Sequence, residues 1–76
     1  MKISERITHD PAVMGGRACI RGMRVTVSMI LGLLSAGRST EEILAAYPYL
    51  TRDDILAALS YAAWRTDEID VPLNAE

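Results

Sequence analysis

Two helix-start motifs separated by a proline constrain this 76-residue chain more than any other feature. Ser39 and Glu42 form a capping box, in which the hydroxyl accepts an orphan helix N–H and the carboxylate reaches back. Thr51 precedes a second helix start, with two acidic residues that favour the positive end of the helix dipole. Pro48 ends the first helix because it cannot continue the hydrogen-bond pattern. The motifs predict two helices joined by a short turn, over residues 40–47 and 52–65.

A further helix is predicted over residues 28–37. Thr26 or Ser28 can cap its start, and Gly37 suits its end. Apolar side chains surround nearly the whole helix, and such a helix is usually buried on more than one side. In so short a chain the second side is most simply a partner subunit, so we predict a homodimer. The predicted interface residues are Met29, Ile30, Leu33 and Leu34.

The region before these helices carries turn signals and short β-rich runs. Gly22 suits the tight turn of a hairpin between residues 18–20 and 24–27, and residues 3–8 predict a further strand. The predicted fold is mainly α and forms one domain, in which a short N-terminal β arm precedes a three-helix, helix-turn-helix bundle. The predicted bounds are 1–27 for the arm, 28–65 for the bundle and 66–76 for an acidic C-terminal tail.

The composition argues against several classes of protein. No apolar run approaches the roughly 18 residues of a membrane span, and the N-terminus lacks the pattern of a signal peptide. Cys19 is the single cysteine, which excludes an internal disulfide. One His and one Cys do not make a structural zinc site, and no nucleophile stands near a base. We therefore expect a cytoplasmic protein that is not an enzyme and needs no metal or other cofactor.

Charge is divided unevenly along the chain. Residues 1–38 carry six basic and two acidic side chains, whereas residues 39–76 carry two basic and eight acidic ones. A basic surface suits nucleic acid, and an acidic surface suits a basic partner. Alternatively, the acidic residues serve helix starts, and the arginines pair with carboxylates within the fold or across a dimer. The sequence leaves both interpretations open.

Guanidinium groups bind phosphates bidentately, which makes several arginines candidates for nucleic-acid contact. Those candidates are Arg17, Arg21, Arg24, Arg38 and Arg52. The last predicted helix begins with Arg52, Asp53 and Asp54, and DNA would repel two carboxylates at that point. The basic N-terminal arm is therefore a better candidate DNA surface than the helix-turn-helix.

Two sets of residues resemble a known family over about residues 3–64. The first set is Asp10-Pro11-x-x-x-Gly15-Gly16-Arg17-x-x-Ile20-Arg21-Gly22-x-Arg24-Val25-x-Val27. The second is Leu33, Gly37, Ser39, Glu41-Glu42-Ile43-Leu44, Tyr47-Pro48-x-Leu50-Thr51 and Asp54-Ile55-x-Ala57-Ala58-Leu59-x-Tyr61-Ala62. They resemble the small bacterial proteins classified as domain of unknown function 433. The resemblance implies a homeodomain-like helical fold and a role as a VapB-type antitoxin, often encoded beside a PIN-like nuclease toxin.

The predicted function is that of an antitoxin in a type II toxin–antitoxin pair. It would neutralise a PIN-like ribonuclease and bind its own promoter DNA, with no membrane partner. Because a nuclease surface that binds RNA is basic, the acidic end of the chain is the candidate toxin contact. The predicted toxin-binding residues are Trp64, Asp67, Glu68 and Asp70. Two alternatives remain, a stand-alone DNA-binding regulator and a protein-interaction module that does not bind DNA.

Overall fold

Helices dominate the computed structural model, as the sequence predicts; it describes residues 3–68. The predicted toxin contact Asp70 lies outside the described residues. In chain order the elements are α1 (Ile3–Arg6), β1 (Ile7–Thr8), a 3-10 turn (Met14–Gly16), β2 (Cys19–Ile20), α2 (Val27–Ser35), α3 (Thr40–Ala46) and α4 (Arg52–Glu68). The mainly α fold with a short N-terminal β arm is thereby confirmed.

The β arm is a two-stranded antiparallel sheet in which Ile7 lies opposite Ile20. Only the second half of the strand predicted over residues 3–8 is a strand, since residues 3–6 form the helical turn α1. Likewise, the predicted strand over residues 24–27 contributes one isolated bridge to β2, because the chain enters α2 at Val27. The strands of the arm are therefore shorter than its β-rich sequence suggests.

A tight turn connects β2 to this bridged segment. The amide of Met23 donates to the carbonyl of Ile20 at 2.8 Å. The two central residues, Arg21 and Gly22, have φ values of 47° and 74°. Positive φ at both positions is typical of the type I′ turn, whose twist matches that of paired strands. Gly22 adopts this conformation without strain, whereas Arg21 is a residue that rarely does so.

Helix α2 begins one residue before its predicted start at 28 and ends two residues before its predicted end at 37, and the predicted cap and end residues flank it. The Thr26 hydroxyl accepts from the amide of Met29 at 3.1 Å, which confirms the cap. Gly37 has a φ of 94°, its amide donates to Leu34, and the following amide, of Arg38, donates to Leu33. These paired bonds form a Schellman motif, which satisfies the last carbonyls of the helix.

The predicted capping box of α3 is present, and α4 begins with the same reciprocal pair of bonds. At the start of α3, the Glu42 amide donates to the Ser39 hydroxyl at 3.1 Å and the Ser39 amide donates to the Glu42 carboxylate at 2.8 Å. At the start of α4, Thr51 and Asp54 exchange the same two bonds, at 3.2 and 2.9 Å. Helix α4 continues to Glu68, three residues beyond its predicted end.

The core lies where the three longer helices meet the β arm. Its largest fully buried apolar side chains come from β2, α2, α3 and α4, and they are Ile20, Ile30, Ile43 and Ile55. Small residues at positions 57 and 58 of α4 let the other elements approach this helix closely. Within residues 3–68, none of the helices is both long and apolar enough to cross a bilayer.

Candidate interaction surfaces

A fully buried carboxylate, Asp54, binds two arginines from the N-terminal arm. Its exposed fraction is 0%. Arg6 Nη1 donates to Oδ1 at 2.8 Å, while Arg21 donates from Nη2 to Oδ2 at 2.8 Å and from Nε to Oδ1 at 3.1 Å. The Thr51 amide completes the set at 2.9 Å. We call this cluster of Arg6, Arg21, Thr51 and Asp54 the Asp54 junction.

The Asp54 junction keeps its carboxylate ionised. Burial by itself raises the pKa of Asp54, because removal from water disfavours the charged form. The hydrogen bonds from Arg21, from the Thr51 amide and from Arg6 outweigh burial, and the pKa of Asp54 falls from its usual 3.8 to about 2. Asp54 is therefore charged across the physiological range and holds its arginines throughout it.

The position of Arg21 in the turn explains its positive φ. Its guanidinium spans the Asp54 carboxylate and the Tyr49 carbonyl, the latter at 2.9 Å from Nη2. A non-glycine residue in this backbone region costs about 1–3 kcal/mol and persists where the surrounding structure requires it. Here the two hydrogen bonds from Arg21 to the buried Asp54 carboxylate hold the residue in this conformation. For Arg21, the structure shows pairing within the fold, which the sequence left open beside nucleic-acid contact.

Sequence reasoning did not single out Arg6 or the special position of Asp54. The sequence does contain a signal for Asp54, because residues 57, 58 and 61 lie on the same helical face and are all apolar or aromatic. An acidic residue on the apolar face of a helix is rarely buried unless it is paired. No comparable signal exists for Arg6, since its partner is 48 residues away.

The remaining predicted nucleic-acid contacts have different surroundings. Arg52 donates to the Glu41 carboxylate at 2.9 Å, and both side chains are exposed. This pairing lowers the pKa of Glu41. Arg52 thus contributes to the contact between α3 and α4 while still facing solvent.

The arginines at positions 17, 24 and 38 are all exposed. Arg17 donates to the Ser28 hydroxyl at 3.2 Å, and Arg24 lies 3.9 Å from the Met14 sulfur. None of the three forms an ion pair with a carboxylate in the described part of the chain. Of the five predicted phosphate-binding arginines, these three have no carboxylate partner among the described residues.

A shallow cleft of about 300 Å³ lies between the start of α2 and the C-terminal half of α4. Two guanidinium groups stand among mostly apolar or hydroxyl-bearing neighbours in its lining, which consists of Arg17, Ala18, Thr26, Val27, Ser28, Leu31, Tyr61, Ala62 and Arg65. The carboxyl groups of the described residues do not contribute to it. The charged side chains that line the cleft are thus Arg17 and Arg65.

The predicted dimer residues on α2 pack against the chain's own core. Ile30 is fully buried there. Met29, Leu33 and Leu34 are half-buried against the same core. The second side of this apolar helix is therefore largely covered within the protomer, and Ile30 has no exposed surface for a partner.

Helix α4 carries large apolar side chains that are exposed, whereas those of α2 are buried or half-buried. Leu56 and Leu59 are 46% and 43% exposed, and Ala63 is exposed on the same helical face. Arg52 and Asp67 lie at the two ends of this row, since spacings of three and four residues return to one side of a helix. We call the row of Arg52, Leu56, Leu59, Ala63 and Asp67 the α4 stripe.

Beside the α4 stripe lies an aromatic patch of His9, Tyr61 and Trp64. The ring of Tyr61 is 5.9 Å from Trp64 and 5.8 Å from His9, and its hydroxyl is 3.2 Å from the His9 Nε2 atom. Trp64 is 52% exposed. Trp64 therefore contacts Tyr61 while about half of its surface stays open to solvent.

Three of the four predicted toxin contacts belong to the C-terminal end of α4. Trp64 and Asp67 are separated by one helical turn and are both exposed. Glu68 is the last residue of the helix. An aromatic and an acidic side chain are thus exposed one helical turn apart near this end of α4.

A metal site finds no support within residues 3–68, where three or more ligating side chains nowhere come together. Cys19 is 1% exposed in β2 and is a small residue of the core.

The comparisons with known proteins agree with the fold. A family model described as "Protein of unknown function (DUF433)" matches residues 7–62. The chain belongs to the DUF433 family. The matched region includes both Arg21 and Asp54. The ion pair between these two residues joins the N-terminal and C-terminal parts of the family motif in space.

Two known proteins are similar to this chain. The "Uncharacterized protein y4eO" of Sinorhizobium fredii (strain NBRC 101917 / NGR234) is 38% identical over 58 residues, which are 76% of this chain and 26% of that protein. The chain therefore spans about a quarter of that relative. The crystal structure of a DUF433 member from Anabaena variabilis ATCC 29413 has a TM-score of 0.78 and 35% identity, covering 90% of this chain and 67% of that one.

Proposed function

We propose that this DUF433 protein is the antitoxin of a bacterial type II toxin–antitoxin pair and neutralises a PIN-like ribonuclease by binding it. In this proposal the protein acts by binding and not by catalysis. The observation that carries it is the exposed Trp64 beside Asp67 at the acidic end of α4. Tryptophan is enriched among the residues that dominate binding energy at protein interfaces.

Charge supports the choice of partner. The described end of α4 contributes Asp67, and the sequence continues with further acidic residues at 68 and 70. A ribonuclease must present a basic surface to its substrate, and an acidic protein segment competes for that surface. Occlusion of the RNA-binding surface is the mechanism of inhibition that follows.

The test is capture of the tagged protein from extracts of its native host, followed by an assay of ribonuclease inhibition with the captured nuclease. We expect Trp64→Ala to weaken inhibition by about 30-fold or more, the effect of losing a dominant interface residue. Tyr49→Ala is the matched control, because Tyr49 is 51% exposed but lies before α4. Equal inhibition by both variants, or the absence of a co-purifying nuclease, would contradict the proposal.

Binding to promoter DNA is a second function that a specific observation favours. Arg17 and Arg24 are exposed on the N-terminal side of the fold and have no carboxylate partner among the described residues. The first turn of α4 is a poor reading surface, since Asp54 is buried and Asp53 is exposed there. We therefore assign DNA contact to the arm and not to the helix that follows the turn.

Salt dependence tests this second function. Each phosphate contact that is lost should lower the slope of log affinity against log salt by about 1. We expect Arg17→Ala and Arg24→Ala each to show this change with promoter DNA. Tyr49→Ala is the control, since that side chain is exposed and carries no charge. If the isolated protein lacks salt-sensitive affinity for its promoter, the DNA-binding proposal fails.

A further inference from the structure

We propose that the α4 stripe is a self-complementary seam through which two copies of this chain pair, with their α4 helices antiparallel. This inference does not rest on the proposed antitoxin function. It concerns the apolar side chains of Leu56, Leu59 and Ala63, which are exposed and lie outside the core. Neighbouring apolar side chains on one exposed helix face are typical of an association surface.

The spacing of the stripe identifies a second copy as the occupant. In a two-fold symmetric interface, residue i of one copy faces residue j of the other, and j faces i. Leu56 and Ala63 are equidistant from the point between Leu59 and Ser60 on α4. A two-fold axis at that point therefore places Leu56 of each copy opposite Ala63 of the other and brings the two Leu59 side chains together.

Charge is complementary about the same axis. Arg52 and Asp67 are also equidistant from the point between Leu59 and Ser60. An antiparallel pair consequently matches Arg52 of each copy with Asp67 of the other, at both ends of the apolar row. A parallel pair would instead place Arg52 beside Arg52 and Asp67 beside Asp67. The charges thus favour the antiparallel arrangement, as opposite charges at the flanks of paired helices set orientation.

The surroundings of Arg52 permit this contact. Its side chain is 59% exposed, and its partner Glu41 is 72% exposed. Arg52 has several donors and donates to Glu41 through Nη2 only in the described bonds. Asp67 is likewise exposed on the described helix.

The seam is small beside the roughly 800 Å² that a standard interface buries on each partner. We therefore expect a dimer with a Kd in the micromolar range or weaker.

The experiment is sedimentation equilibrium of the full chain at low ionic strength, from micromolar to millimolar concentration. We expect the wild type to dimerise reversibly. Leu59→Glu should raise the dimer Kd by roughly 100-fold or more, because it brings two carboxylates together at the axis. Since Leu59 is 43% exposed, we expect this variant to fold, and circular dichroism checks that it does.

A charge exchange tests the antiparallel register. Arg52→Glu and Asp67→Arg should each raise the dimer Kd by roughly 10-fold, because the two-fold axis repeats each repulsion. The double variant Arg52→Glu/Asp67→Arg should recover most of the wild-type affinity. Failure of this recovery in a folded double variant would overturn the antiparallel register.

Two further variants separate this seam from other surfaces. Gly32→Glu adds a charge to the exposed face of α2, where a Cβ meets nothing within 4 Å. Trp64→Ala alters the aromatic patch and not the stripe. We expect both variants to dimerise like the wild type. A wild type that is monomeric at all concentrations, or a dimer that Gly32→Glu disrupts and Leu59→Glu leaves intact, would overturn the proposal.

Discussion

At the scale of single residues, Asp54 organises the protein. It closes the capping box of α4 with Thr51 and also binds Arg6 and Arg21, which lie 48 and 33 residues away. One carboxylate therefore serves a local and a long-range role. A buried ion pair of this kind is costly to break, since removal of one partner leaves a charge in a low-dielectric environment.

Arginines in the same arm should differ strongly in their effect on stability. We expect Arg21→Ala to lower the free energy of unfolding by about 2–4 kcal/mol, because Asp54 then keeps only one guanidinium. Arg24→Ala should change it by no more than about 0.5 kcal/mol, as exposed surface substitutions do. Urea denaturation of both variants measures the difference. Equal stabilities would show that the Arg21–Asp54 pair contributes little.

The pKa of Asp54 predicts how stability depends on acid. Because the folded pKa is about 2 and the usual value is 3.8, the contribution is fully present above about pH 4 and is lost as the pH falls toward 2. The loss should be about 2 kcal/mol. Urea denaturation from pH 7 to pH 2 measures it. Asp53→Asn should retain this loss, whereas Asp54→Asn should be less stable at pH 7 and lose less below pH 4.

At the scale of elements, each helix is delimited by side chains and backbone bonds close to its ends. Helix α2 shows this at both termini, with Thr26 at its start and the Schellman motif around Gly37 at its end. Its interior contains Gly32, where a Cβ would meet nothing within 4 Å. Gly32 therefore has helical backbone that other residues adopt readily, whereas Gly37 has a positive φ that favours glycine.

The same substitution at these two glycines should change stability in opposite directions. Gly32→Ala should raise the free energy of unfolding by about 0.5–1 kcal/mol, because alanine loses less conformational entropy in a helix. Gly37→Ala should lower it by about 1 kcal/mol or more, because Gly37 has a φ of 94° and alanine disfavours that region. Thermal denaturation followed by circular dichroism checks both. Changes of the same sign would contradict this explanation.

At the scale of the whole molecule, the arm and the helices form one packed unit. Core side chains come from β1, β2 and all three longer helices. The Asp54 junction adds a charged link between the arm and the start of α4. At this size a chain buries only about 60% of its unfolded surface, so separate parts have little stability of their own.

Unfolding should therefore be a single transition. Trp64 is the one tryptophan of the chain and contacts Tyr61 on α4, so its fluorescence reports on that end of the helix. Far-ultraviolet circular dichroism reports on all the helices. We expect the two signals to give the same urea midpoint at a fixed protein concentration, as two-state unfolding requires. Separate midpoints would show that the end of α4 unfolds independently.

Most of the helical architecture was predictable because its determinants are local. Ser39 with Glu42, Thr51 with Asp54, and Thr26 with Met29 are pairs three residues apart. Bonds of this range depend on the backbone of one helical turn and on little else. The family resemblance was likewise visible in the residues themselves, and the match to DUF433 confirms it.

The tertiary structure decided what the arginines and the apolar helix faces do. Arg21 and Asp54 are 33 residues apart, and their pairing depends on the path by which the chain returns. The burial of Ile30 and the exposure of Leu59 depend equally on which helices pack together. Local sequence determines where helices begin and end, because caps form within a turn. It does not determine which side chains remain at the surface, because burial is a property of the assembled fold.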